Sequence, residues 1–482
     1  MSSRPGRSLE AASRSQAGEL PGKLAGKSLP RQVVLLAIWP LLEQLLTFVV
    51  NSVDIVMAGR MAGNEPETIA ITEALAVGGF VTWLLLIIQG AAAMGATAVV
   101  SRATGGQDFL LARRAAGQAL LVGFLSGLLA SGLLLLTTDF LVDHLFHLQA
   151  SAREHAARYL QVMALACPFS GLLFAGNSSL RGSGDTRTPF LTMVLVGIAN
   201  ILLTLLLVFG AAPFGGFGIV GLAAGTALSW ALGAITVLSL LLRAGKRQNQ
   251  TAPPLYLRPK FLTPDWSVAK RILNVGLPGS GEMVGMWAIQ SFILANISRL
   301  SQEGALGAHL ITLRIESFSF LPGFAMGTAA ATLAGQYLGA GNPEKAQAAV
   351  RLCWRYAAIF MSCLGMTFFL GARHYVAVFT PESETLTRLA MPLIILAGFA
   401  QPLLATAMVL KVALRGVGAT RTVLIGSYSS MFVFRLAGIW LLMNYFEPTL
   451  FRIWAIMFLD VAVQAVIFSF LFFKGTWLQT KV

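Results

Sequence analysis

Twelve stretches of continuous apolar sequence, most of about 20 residues or more, dictate what this chain can become. A run of that length crosses the hydrocarbon of a bilayer as a helix, and in lipid every backbone N–H and C=O must find its partner inside the protein. The runs are continuous and do not alternate, so a strand barrel is excluded. At 56 % apolar, 12 % charged and a mean hydropathy of +0.72, the chain is too apolar for a soluble core of 482 residues. The expected fold class is an all-α membrane protein with twelve transmembrane helices. They are placed at about 33–58, 69–101, 113–138, 154–180, 188–211 and 218–243, then 268–298, 306–338, 348–371, 386–414, 421–444 and 451–474. Residues 1–32 read as a disordered, basic cytoplasmic leader, 244–267 as a cytoplasmic linker and 475–482 as a cytoplasmic tail. No apolar secretory segment precedes the first span.

The formal charge of +14 serves topology. Arg and Lys crowd the leader, the linker and the loops at Arg102, Arg113, Arg181, Arg187, Lys345, Arg415 and Arg421, whereas the opposite side holds little beyond Arg60, Arg153, Arg299, Arg373 and Arg452. Both termini are therefore expected in the cytoplasm, with the basic side against anionic membrane lipid and no nucleic-acid partner. Cys167, Cys353 and Cys363 fall inside apolar spans without metal-ligand spacing, so neither disulfides nor zinc are expected.

One pattern returns. Leu180-Arg181-Gly182-Ser183-Gly184-Asp185-Thr186-Arg187-Thr188 recurs 234 residues later as Leu414-Arg415-Gly416-Val417-Gly418-Ala419-Thr420-Arg421-Thr422, and the same offset links Pro168 to Pro402 and Gly105 to Gly339. Six spans per copy bring both copies into the membrane from the same side, so the repeats are parallel: an N-lobe at 33–243 and a C-lobe at 268–474. The glycines of the repeated loop suit a tight turn, and its arginines are expected to cap the preceding helix and face lipid phosphate. No GxxxxGK[ST] loop is present, which argues against ATP-driven pumping. Small-residue runs at Ala91–Ala98 and Ala325–Ala334 read as close helix packing.

These pieces resemble the multidrug and toxic compound extrusion (MATE) family. The likeness rests on Val53-Asp54-Ile55-Val56-Met57-Ala58-Gly59, Gly276-Leu277-Pro278, Gly335-Gln336-Tyr337-Leu338-Gly339-Ala340-Gly341-Asn342, both repeated loops and Gly218-Ile219-Val220-Gly221, over about residues 33–474. It implies twelve helices in a V-shaped pair of lobes that export amphipathic, often cationic compounds in exchange for Na⁺ or H⁺. It also implies an ion site at Asp54 with Asn200 and Thr226, where Thr204 replaces an expected second acid; Na⁺ there would meet one formal charge and neutral oxygens. The family's acid in span seven lies near Met286, one turn from Glu282.

Ionisable side chains within spans are costly and so become candidates by their position alone. They are Glu43, Asp54 and Glu73 in the first half, and Glu282, Arg314, Glu316, Lys411, Arg435 and Asp460 in the second. Glu43 and Glu282 follow Pro40 and Pro278 closely, and with Asp54 and Glu316 they are the expected coupling acids. Arg314 and Arg435 are expected as structural charge partners, Lys411 to extend its ammonium to the interface, and Glu73 and Asp460 to carry no assigned role. Trp83, Gln89, Trp287 and Gln290 flank the acids as candidate cavity-lining residues around Glu282.

The function expected is a secondary antiporter in the plasma membrane (the inner membrane of a Gram-negative source), a monomer using no cofactor beyond Na⁺ or H⁺. The alternative is a lipid-linked oligosaccharide or other lipid flippase of the same superfamily, the first of which would need several basic side chains for pyrophosphate. A membrane enzyme is not expected, since no HExxH or GxSxG occurs.

Overall fold

The computed structural model describes residues 20–61, 65–146, 148, 150–210, 216–243, 255–379 and 383–480. Among the described residues it is helical without a strand. The first half holds α1 (Leu29–Ala58), α2 (Glu65–Gly105), α3 (Phe109–Phe140), α4 (Ala150–Gly182), α5 (Arg187–Phe209) and α6 (Gly218–Arg243). The second holds α7 (Trp266–Ile297), α8 (Ala305–Gly339), α9 (Pro343–Phe379), α10 (Glu384–Gly416), α11 (Thr420–Tyr445, through a π-helical turn at Met431–Leu436) and α12 (Leu450–Lys474). Eleven of these are long and apolar enough to cross a membrane. The other is α7, whose 32 residues include Gly276, Pro278, Gly279, Ser280, Gly281 and Glu282, a polar interruption that dilutes its hydropathy.

The chain forms two compact units, one of Leu42–Thr104 and Asp108–Ser280, the other of the residues through Leu41, Gly105–Gln107, and everything from Gly281. Their divisions fall inside α1 and α7, beside Pro40 and Pro278, and not at the linker, as the lobe ranges 33–243 and 268–474 would have it. Proline removes one helical hydrogen bond and displaces another carbonyl, so each helix is weakest at that point.

Within the first unit, α3 and α4 approach at Gly123 and Gly171. A Cβ on Gly123 would lie 2.5 Å from the Gly171 carbonyl oxygen, so only glycine permits this spacing. The end of the linker is strapped down: Leu255, Leu257 and Phe261 are buried, and Gln118 Nε2 donates to the Thr263 carbonyl at 2.7 Å. Asp265 then opens α7 by accepting from the Ser267 hydroxyl at 2.6 Å, which holds its carboxyl below the usual carboxylate range.

Within the second unit, the expectation of a disordered leader is corrected for residues 20–32. Leu20 and Leu24 are buried with Val33, Leu36 and Ala37 against α8, α9 and α10, and Tyr337 donates its hydroxyl proton to Gln32 Oε1 at 2.6 Å. Residues 1–19 lie outside the described residues, as do 244–254 of the linker. The tail is anchored too, since Gly475 ends α12 at φ 74° and Trp477 is buried on Phe472.

The repeated loops fold alike. Gly184 and Gly418 both stand at φ 90°, and the following residue closes the helix end each time, Asp185 N on Leu180 O and Ala419 N on Leu414 O, both at 3.0 Å. A left-handed residue there satisfies the last helical carbonyls, and glycine adopts it without strain. The loop before α3 has the same turn without the glycine: Gln107 stands at φ 58° where its repeat counterpart, Gly341, stands at φ 73°.

Candidate functional site

Buried ionisable groups gather in each unit, in different states of pairing. In the first unit Glu43 is buried and accepts from Arg181 Nη2 at 2.5 Å through Oε1, while its Oε2 has no hydrogen-bond partner. In the second unit Glu282, 2 % exposed, takes Arg415 Nε at 2.9 Å and Nη2 at 2.6 Å on Oε2. Its Oε1 takes the Ser427 hydroxyl at 2.6 Å and faces Lys411 Nζ at 3.5 Å. Arg181 and Arg415 are repeat counterparts, so each copy turns the arginine of its repeated loop onto the acid beyond the proline of its first helix. The expectation that these arginines face lipid phosphate is therefore corrected. Lys411 is corrected as well: it does not extend to the interface, because Gln464 Oε1 at 2.9 Å and Glu282 hold it inside. Pairing with a carboxylate and an amide oxygen offsets part of what burying the ammonium costs.

The polar chain of the second unit continues inward. Gln464 Nε2 donates to Asp460 Oδ2 at 3.0 Å, Arg435 Nη2 lies 2.8 Å from the same oxygen, and the Ser430 hydroxyl donates to Oδ1. Asp460, fully buried, thus has the partners that the sequence did not reveal. Glu316 is buried on α8 within the electrostatic reach of Arg435. Of the two arginines expected as structural partners, Arg435 pairs with Asp460, whereas Arg314 lies on the exposed face of α8. Three carboxylates, Glu282, Asp460 and Glu316, thus share their surroundings with three cations, Arg415, Lys411 and Arg435.

In the first unit the other acid has no such company. Asp54 Oδ1 is buried without a hydrogen-bond partner, and its electrostatic neighbour is the Tyr159 ring, seated against Gly78. Helix α5 packs on α1 through Gly197, where a Cβ would stand 3.1 Å from Val50 Cγ2. Asp54 lies one turn beyond Val50 and Asn200 nearly one turn beyond Gly197, so the two are raised to a common level on facing helices. Asn200 Nδ2 donates to Thr226 Oγ1 at 3.0 Å, and Thr204 abuts Gly225 on the same helix as Thr226. Asn200 Oδ1 and Thr204 Oγ1 are likewise buried without partners. The structure so brings Asn200, Thr204 and Thr226 together between α5 and α6. It leaves a carboxylate, an amide and a hydroxyl oxygen unsatisfied in one unit, a donor set that suits a hard monovalent cation or a proton.

The cavity-lining expectations scatter. Gln89 is buried and accepts the Ser170 hydroxyl proton at 2.6 Å, an inter-helix tie between α2 and α4. Trp83 is exposed, edge-on to Phe80, and Trp287 and Gln290 are half-buried on α7. Glu73 is exposed. Sequence reasoning missed Arg181, Arg415, Ser427, Gln464 and Tyr159 as partners; the exact recurrence of the arginines at the repeat offset was the signal available for two of them.

The MatE family model matches residues 41–206 and 278–441, one segment in each half. The chain belongs to the MatE family. The family is one of transporters, not enzymes, and the chain is a multi-pass membrane protein. It is 27 % identical over 452 residues to the probable multidrug resistance protein NorM of Thermotoga maritima, covering 94 % of each chain. It is 27 % identical over 238 residues to an FAD transporter of Shewanella oneidensis, covering 49 % of this chain and 51 % of that one. In fold it is similar to a MOP superfamily transporter from Pyrococcus furiosus, with a TM-score of 0.83, 20 % identity, and 94 % and 98 % of the two chains covered.

Proposed function

We propose that this MatE transporter is a secondary antiporter that exports amphipathic, cationic small molecules in exchange for H⁺ or Na⁺ taken up at Asp54. The observation that supports the reading is the set of unsatisfied oxygens in the first unit: Asp54 Oδ1, Asn200 Oδ1 and Thr204 Oγ1. An unpaired buried carboxylate is costly, and a proton or metal ion supplied from outside removes that cost while it is bound. Ion binding then favours whichever conformation forms the site best, and a substrate that prefers the other conformation is driven out by the exchange. A multidrug resistance protein among the relatives supports the small-molecule substrate class. Arg181, Arg415, Lys411 and Arg435 each face a carboxylate, which removes them as free ligands for the pyrophosphate of a lipid-linked sugar. The plasma membrane, cytoplasmic termini, a monomeric state and the absence of any organic cofactor complete the proposal.

The test uses purified protein in liposomes loaded with a fluorescent amphipathic cation, given a Na⁺ gradient and a pH gradient separately. Accelerated efflux under one gradient names the ion. Efflux indifferent to both would refute the antiport reading.

A further inference from the structure

Helices α5 and α11 are counterparts in the pseudo-repeat. In α5 the buried face runs through Pro189, Thr192, Val196, Gly197, Asn200, Thr204 and Val208. From Val423 on, the buried face of α11 runs through Ser427, Ser430, Met431, Arg435, Ile439 and Leu442. Val423, Ser430, Met431 and Leu442 lie 234 residues after Pro189, Val196, Gly197 and Val208, whereas Ser427, Arg435 and Ile439 lie 235 after Thr192, Asn200 and Thr204. Arg435 lies in the π-helical turn at Met431–Leu436 and takes, one residue off the 234 offset, the buried level that Asn200 holds in the first copy. Asn200 presents an unpartnered oxygen to its unit; Arg435 presents a guanidinium to Asp460 at 2.8 Å and lies within electrostatic reach of Glu316. The acid is exchanged as well. Asp54 stands fourteen residues after Pro40, and fourteen after Pro278 stands Phe292.

We infer that Arg435 is a tethered cation: it fills permanently, in the second unit, the role that a solute ion fills transiently in the first, and so confines ion exchange to the Asp54 side. This rests on the reading of Asp54 as the exchanging group for its second half only; that the Asp460–Glu316 cluster is closed by Arg435 stands on the second unit alone. Fully buried Asp460 accepts from Ser430, Gln464 and Arg435. Removing the guanidinium leaves buried Asp460, with the Ser430 hydroxyl and the Gln464 side chain, without its counter-charge, a place that suits one monovalent cation or proton.

The experiment counts cation equivalents bound by the purified full-length protein, using radioactive Na⁺ at equilibrium and, without Na⁺, proton uptake reported by a pH-sensitive dye. The wild type should bind one equivalent, lost in Asp54→Asn. Arg435→Gln should bind one more, retained in Asp54→Asn/Arg435→Gln and lost in Arg435→Gln/Asp460→Asn, while Arg435→Lys, which keeps the charge, should match the wild type. A monodisperse Arg435→Gln protein with wild-type stoichiometry overturns the inference. If Arg435→Gln does not fold, Glu316→Gln in the wild-type background decides: unchanged stoichiometry supports a closed second unit, and loss of an equivalent overturns it. Should Asp54→Asn keep the wild-type equivalent, the antiport site is wrong, and the increment on Arg435→Gln still judges Arg435 separately.

Discussion

The two units start from one plan and treat buried charge in opposite ways. The first keeps one acid, Glu43, on the arginine of its repeated loop and leaves another, Asp54, with an unpartnered oxygen, as it leaves Asn200 and Thr204. The second unit answers each acid with an internal cation or its field: Arg415 and Lys411 for Glu282, Arg435 for Asp460 and Glu316. The lesson is that a carboxylate in the membrane need not mark an ion path. What marks it is a carboxylate for which the fold supplies no counter-charge, because there the missing charge must come from solution.

That contrast yields predictions of graded size. Glu282→Ala removes a buried carboxylate from two part-buried cations and should destabilise the protein by about 3–5 kcal/mol, seen as the largest fall in melting temperature in detergent. Glu43→Ala strands only Arg181 and should cost less, about 1–3 kcal/mol; equal losses would break the distinction between the units. Gly184→Ala and Gly418→Ala force a Cβ into the left-handed region at φ 90°, and each should cost about 1–2 kcal/mol. Because the repeated turns are the same, those two losses should match, and unequal ones would show that the loops are not interchangeable. Smallest is Gln107→Gly, which relieves φ 58° and should raise stability by up to about 1 kcal/mol, whereas Gly341→Gln at the counterpart turn should lower it.

Much of the fold was legible before any coordinates. Continuous apolar runs located the helices, and the recurring loop located the internal duplication, because both are local patterns with a fixed period. The α7 span illustrates the limit of hydropathy: its glycines, serines and Glu282 dilute the signal of the run placed at 268–298. Asp54, Asn200, Thr204 and Thr226 came from resemblance, and the unit they share is consistent with that grouping. What could not be read was which basic side chain meets which acid. Arg415 and Glu282 are 133 residues apart in sequence, and nothing local to Lys411 says that Gln464, 53 residues on, waits for it. The strapped leader was hidden for a related reason, since Leu20 and Leu24 sit in a polar, glycine-rich segment whose composition resembles disorder. Arg435 lies in a π turn one residue away from the fixed offset of 234, so that offset does not point to it.

The central claim is that ion exchange belongs to one unit, and counter-ion flux during substrate efflux measures it most directly. Proteoliposomes carrying wild-type, Asp54→Asn or Glu316→Gln protein would be given the same outward pulse of a fluorescent amphipathic cation while the opposing H⁺ or Na⁺ flux is recorded. Coupled flux should fall at least about tenfold in Asp54→Asn, a loss of roughly 1.4 kcal/mol or more, and stay near wild type in Glu316→Gln. Full coupling in Asp54→Asn, with loss in Glu316→Gln, would contradict the account.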